Sequence, residues 1–199
     1  MKKILLHHGW TNRRPQGHWI RLTAAALRSS GHQVWYPQFP EPETPNPEDW
    51  QAIISQEAQM MDEVSGGEKI AIAHSLGCMN WVLAAMMGRF ATPFDRVLFV
   101  APPDPIKTGD ADGIKGEPMD LNHPDLLPAI KRNARSFTII ASDDDRWLPR
   151  GIQIYEDALQ QPAVVFPGAG HFSLDDGWGK WQGILDWVES SSDQDLLKR

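Results

Sequence analysis

Along the chain, short runs of continuously apolar residues alternate with longer stretches in which apolar positions recur every three or four residues. The first kind reads as strands buried on two faces and the second as amphipathic helices, so their alternation predicts a parallel sheet covered by helices on both sides. Six strands are expected, over residues 3–7, 33–36, 69–73, 96–101, 136–142 and 163–166. Helices are expected over 17–28, 47–64, 76–87, 148–160 and 177–189, with a further short one over 128–134. Two stretches break the rhythm. Residues 37–47 hold Pro37, Pro40, Pro42, Pro45 and Pro47, too many for a strand or a helix interior, and should run extended over the surface. Residues 102–124, rich in Gly, Asp and Pro, exceed an ordinary connection and are long enough to cover a site. The polar end, 190–199, is expected to fray.

The third strand ends abruptly at a serine between small residues, in the run Lys69-Ile-Ala-Ile-Ala-His-Ser75-Leu-Gly77-Cys. Such a run predicts a nucleophile elbow, where the turn from strand to helix is so tight that only small residues fit two before and two after the serine. Ala73 and Gly77 occupy those places, with Ala73 standing where glycine is usual. Serine is also a common helix N-cap, so the motif gains weight only from partners elsewhere.

Those partners are present. Asp145-Arg-Trp-Leu-Pro149 follows the fifth strand and Gly168-Ala-Gly170-His171-Phe172 follows the sixth, on the sheet edge that carries Ser75. Ligands of open parallel sheets bind in the crevice beyond those strand ends. Ser75, Asp145 and His171 are therefore the expected catalytic residues, in the chain order of α/β-hydrolases. Within the run Asp143-Asp144-Asp145 the spacing to Leu148-Pro149 favours Asp145, with Asp144 as the alternative acid. After strand one comes His8-Gly9-Trp10, where the Trp10 backbone N–H is expected to donate to an oxyanion, with the Leu76 N–H donating another. Trp10, His8, Gly9, His74, Trp147 and Phe172 are candidates for the pocket wall. Of the nine tryptophans, Trp19, Trp50, Trp181 and Trp187 are assigned to packing.

Composition narrows the rest. With 199 residues, 41% of them hydrophobic, one domain over 1–199 is expected. A net charge of -7 with scattered Lys and Arg disfavours nucleic acid. The start Met1-Lys-Lys imitates a signal peptide, but its apolar stretch stops at His7 and His8, and no run approaches the length of a membrane span. A single cysteine, Cys78, suits a reducing cytoplasm, and a buried structural thiol is favoured over a rival nucleophile. Asp110-Ala-Asp112-Gly113 lacks the distal glutamate of a calcium loop, and His7, His8, His18 and His74 lack carboxylate or cysteine partners at ligand spacing. Neither a metal nor a cofactor is expected, and the expected partner is a small acyl substrate.

Taken together, His8-Gly9-Trp10, His18-Trp19, Glu48-Asp49-Trp50, Ala73-His-Ser-Leu-Gly77, Asp145-Arg-Trp-Leu-Pro149 and Gly170-His171-Phe172 resemble the small serine hydrolases of the retinoblastoma-binding-protein/YdeN type. The resemblance spans nearly the whole chain. It implies an α/β-hydrolase fold with little or no cap, a triad of Ser75, Asp145 and His171, and activity on small esters or amides. Arg146 departs from the proline common after the acid, and Ala73 from the elbow glycine. A different class of reading is a hydrolase fold kept as a binding module, and a third is triad chemistry other than hydrolysis.

Overall fold

In the computed structural model, which describes residues 1–198, the aliphatic runs form the strands β1 (Lys3–His7), β2 (Gln33–Trp35), β3 (Lys69–His74), β4 (Phe94–Val100), β5 (Ala134–Ser142) and β6 (Val164–Phe166). They make one sheet in the order β2-β1-β3-β4-β5-β6, and every pairing is parallel. Because the order reverses between β1 and β3, the loops leaving those two strands lie side by side at the C-terminal edge, where a crevice forms.

The helices are α1 (Trp19–Ser29), α2 (Pro47–Glu63), α3 (Leu76–Met86), α4 (Pro105–Gly109), α5 (Leu126–Asn133), α6 (Gln153–Leu159) and α7 (Gln182–Ser190). Alternation along each strand sends side chains to two cores. Ile4, Leu6, Ile70, Ile72 and Leu98 pack with Trp19 and Ile20 of α1 and Trp187 of α7. Leu5, Ala71, Val97 and Phe99 pack with Trp50 of α2, Trp81 of α3, Ile130 of α5 and Tyr155 of α6. The four tryptophans assigned to packing are all buried. Among the described residues, no helix is long and apolar enough to cross a membrane.

Several expected boundaries move. The helix expected over 148–160 begins only at Gln153, because Leu148–Gly151 forms turns, with Gly151 at φ +76° and Pro149 within them. The helix expected over 177–189 begins at Gln182, because Trp178 and Trp181 are drawn into the core and Gly177 turns at φ +82°. The loop after β4 carries the short α4, capped by the Asp104 side chain, which accepts the Ile106 N–H. The end of the chain does not fray as expected. It forms a 3₁₀ turn, Asp193–Leu197, with Leu196 fully buried and the Trp181 indole N–H donating to the Leu196 carbonyl at 3.0 Å. Gly183 of α7 makes this docking possible, since a Cβ there would come within 2.5–2.7 Å of three carbonyl oxygens of the tail. Arg199, the last residue of the expected frayed stretch, lies outside the described residues.

Candidate active site

Ser75 sits between β3 and α3 with φ 54° and ψ -128°, a conformation that costs an L-residue about 1–3 kcal/mol. The turn is held by the Ser75 N–H donating to the Val100 carbonyl and the Cys78 N–H donating to the Ser75 carbonyl, both at 2.9 Å. Only glycine fits at position 77, where a Cβ would meet His7 Nδ1 at 2.6 Å and the His8 carbonyl oxygen at 2.7 Å. Ala73 lies on β3 between His7 and Phe99 of the neighbouring strands and is fully buried, so its methyl group is absorbed by the core. Gly9 allows the β1 loop to pass against the elbow, since a Cβ there would lie 2.6 Å from that of Ser75.

The three residues expected to carry chemistry come together. His171 Nε2 lies 2.7 Å from Ser75 Oγ, and His171 Nδ1 lies 2.7 and 2.9 Å from the two carboxylate oxygens of Asp145. A carboxylate fixes the proton on Nδ1, leaving Nε2 free to accept from the serine hydroxyl. Asp145 also accepts the Trp147 N–H at 2.8 Å, so both of its oxygens are engaged. Asp144, the alternative acid, has a different partner: it accepts the Gly170 N–H at 2.7 Å.

Sequence reasoning missed how this loop is fastened. Asp143 and Asp144 are exposed, yet the acidic run is engaged throughout: Asp143 accepts the Gly168 N–H, Ser142 Oγ accepts the Ala169 N–H, and Asp144 and Asp145 take Gly170 and His171 in turn. Asp176 accepts the His171 backbone N–H at 2.8 Å and the Ser173 hydroxyl at 2.7 Å. Ser173-Leu-Asp-Asp176 has the spacing of a local side-chain-to-backbone turn, a signal in the sequence that went unused. On the other side of His171, its carbonyl accepts from His74 Nε2 at 2.9 Å. His171 is thus held at its N–H, its C=O and its ring.

A cavity of about 370 Å³ opens over Ser75. Trp10, His74, Leu76 and Trp147, all expected at the site, line it, and Trp10 meets Trp147 edge-to-face at 5.4 Å. Asn12, His18, Arg146 and Asp175 line it as well and were not expected. Three expected wall residues do not line it: Phe172, His8, and Gly9, which packs against Ser75. Phe172, at φ 54°, points into the core beside α1 and α7 and stacks on Trp181 at 5.4 Å, so it does not line the cavity. His8 is buried beneath the loop, donating from Nδ1 to the Gly9 carbonyl and accepting the Phe39 N–H at Nε2.

Burial holds four histidines in the neutral form. His8 is pushed down to about 4 mainly by burial, and His18 to about 4 by burial and then by His8. His7 and His74 fall well below the usual value, first through burial and then through neighbouring imidazoles. Burial pushes the Cys78 thiol up, away from a reactive thiolate. Among the described residues, no three His, Cys, Asp or Glu side chains are grouped to hold a metal ion.

A strained serine, a histidine in hydrogen-bond reach and a buried acid behind it can perform nucleophilic acyl chemistry. No curated protein sequence matches the chain. In fold it is similar to the ydeN gene product of B. subtilis, with a TM-score of 0.75 at 20% identity over 96% of this chain and 98% of the other. It is similar also to a YdeN-like hydrolase of Pectobacterium atrosepticum, with a TM-score of 0.67 at 21% identity over 96% and 91% of the two chains. Est1E of Butyrivibrio proteoclasticus shares the fold with a TM-score of 0.63 at 16% identity over 95% and 89%. The architecture is that of the α/β-hydrolases. A family model described as serine hydrolase matches residues 4–190, and the chain belongs to that family.

Proposed function

We propose that this protein is a carboxylesterase-like hydrolase that cleaves small carboxylic esters through an acyl-enzyme on Ser75, His171 and Asp145. The observation that carries the reading is the 2.7 Å contact between His171 Nε2 and the hydroxyl of a serine at a strained elbow. Ser75 Oγ attacks the ester carbonyl while its proton passes to His171 Nε2. Asp145 keeps the imidazole in the required tautomer and stabilises the imidazolium. The backbone N–H groups of Trp10 and Leu76 receive the oxyanion, and Leu76, as the first residue of α3, has no partner one turn back in its own helix. Collapse expels the alcohol, which takes the proton from Nε2. Water then repeats the sequence and releases the acid.

A fluorophosphonate probe tests this directly. The wild-type protein should be labelled, and Ser75→Ala should abolish both labelling and ester turnover. Folded wild-type protein that takes no label and turns over no ester would instead fit a binding module.

A further inference from the structure

We propose that the cavity over Ser75 has an apolar arm that binds the acyl chain of the substrate, a straight chain of about five to seven carbons. The inference rests on the hydrolase reading above and adds the substrate class. It begins from the two stretches that broke the sequence pattern. The proline strip before α2 and the long loop after β4 meet above α3 and form the roof of a second, narrower cavity. They approach at distances only glycine tolerates: a Cβ at Gly113, already at φ +95°, would lie 2.7 Å from the Glu43 carbonyl oxygen. A Cβ at Gly109 would lie 2.5 Å from the ring of Pro118, which closes the loop on itself.

The floor belongs to the helix that begins at the nucleophile. Leu76, Met79 and Leu83 line the arm at helical spacing, so it runs from the elbow along α3 for about 10 Å. Asn80 also borders it, but its Oδ1 accepts from Gln51 and its Nδ2 faces His7 Nε2 at 2.8 Å, so its polar atoms are already engaged. The arm and the main cavity share Leu76, Thr108 and Ile114 and so meet beside the proposed oxyanion donor. An acyl group attached to Ser75 enters the arm there, while the alcohol faces Trp10, Asn12 and His18 in the wider cavity. The arm's volume of about 70 Å³ accommodates about five to seven groups the size of a water molecule, which sets the chain length.

The experiment is a series of aryl esters from acetate to decanoate, with a parallel series of alkyl acetates. Each buried methylene should raise kcat/KM about threefold to fourfold, giving about two orders of magnitude between acetate and hexanoate and a fall beyond it. Met79→Trp fills the arm and should lower the hexanoate-to-acetate ratio at least about tenfold. Leu83→Trp, at a half-buried position farther along, repeats the test should the first variant fail to fold. A flat or falling wild-type profile overturns the proposal, as does a ratio unchanged in a folded variant or a chain-length preference on the alcohol side. These results leave Ser75 labelled by phosphonates. Absence of labelling at every chain length, with no turnover, instead overturns the hydrolase reading and the acyl arm with it.

Discussion

Lowering the pH from 7 to 5 should strip this protein of much of its stability, because four imidazoles are folded into places where they stay neutral. In the unfolded chain each titrates near 6.5, whereas His8 and His18 titrate at about 4 when folded. A histidine whose folded pKa is depressed contributes fully above its unfolded value and loses that contribution as pH falls toward the folded one. At pH 5 the unfolded imidazole is almost wholly protonated and the folded one mostly neutral, a difference of about 2 kcal/mol for each. His7 and His74 are depressed in the same direction and add to a loss that for His8 and His18 alone comes to about 4 kcal/mol. That is a large share of the whole stability of an ordinary domain, about 5–15 kcal/mol. Asp104, Asp144 and Asp176 sit below their ordinary 3.8 and stay ionised throughout this window. Urea unfolding at pH 7, 6 and 5 measures the loss. His18→Asn removes one titrating group while an amide oxygen keeps the cap on Ile20 N–H, and should make the loss smaller by about 2 kcal/mol. A stability constant within about 1 kcal/mol over this range, or a slope unaffected by His18→Asn, would refute the reasoning.

Gly77→Ala places a methyl group against His7 and the His8 carbonyl and should destabilise by about 1–3 kcal/mol, read from the thermal midpoint; an unchanged midpoint means the elbow yields more than its contacts imply. Leu196→Ala opens a cavity under the docked tail and should cost about 2–5 kcal/mol in urea, whereas a merely frayed end would lose nothing. Asp145→Asn should lower ester kcat by about 10⁴-fold. Asp144→Asn, which keeps an acceptor for Gly170 N–H, should lower it far less; equal losses in the two variants would count against the assignment of the acid.

Much of this was legible in the chain because two periodicities are hard to confuse. Strands such as Lys69–His74 carry no polar face, and helices such as Trp19–Ser29 carry one. The meeting of Ser75, Asp145 and His171 followed from the same reading, since each lies just past a parallel strand and such ends share one edge. What failed was local periodicity under tertiary pull. Trp178 and Trp181 fit a helical spacing but bury their rings one by one, so α7 starts late. The tail looked polar because its single anchor, Leu196, is one residue among charges, and nothing in its neighbours announces a glycine waiting on α7. Phe172 was misplaced because adjacency to His171 says nothing about facing, and a positive φ turned it inward.

The segment Ser142 to Asp145 gives each of its four side chains its own partner on the opposite loop, Ala169, Gly168, Gly170 and His171 respectively, with the first two pairs crossed. Such a correspondence behaves like a reading frame. Swapping one residue erases one contact, but inserting or deleting one shifts every downstream partner at once and leaves the imidazole facing the wrong side chain. This stretch can therefore diverge by substitution while its length stays fixed, in contrast to the roof of the acyl arm, where insertions would only reshape the chamber.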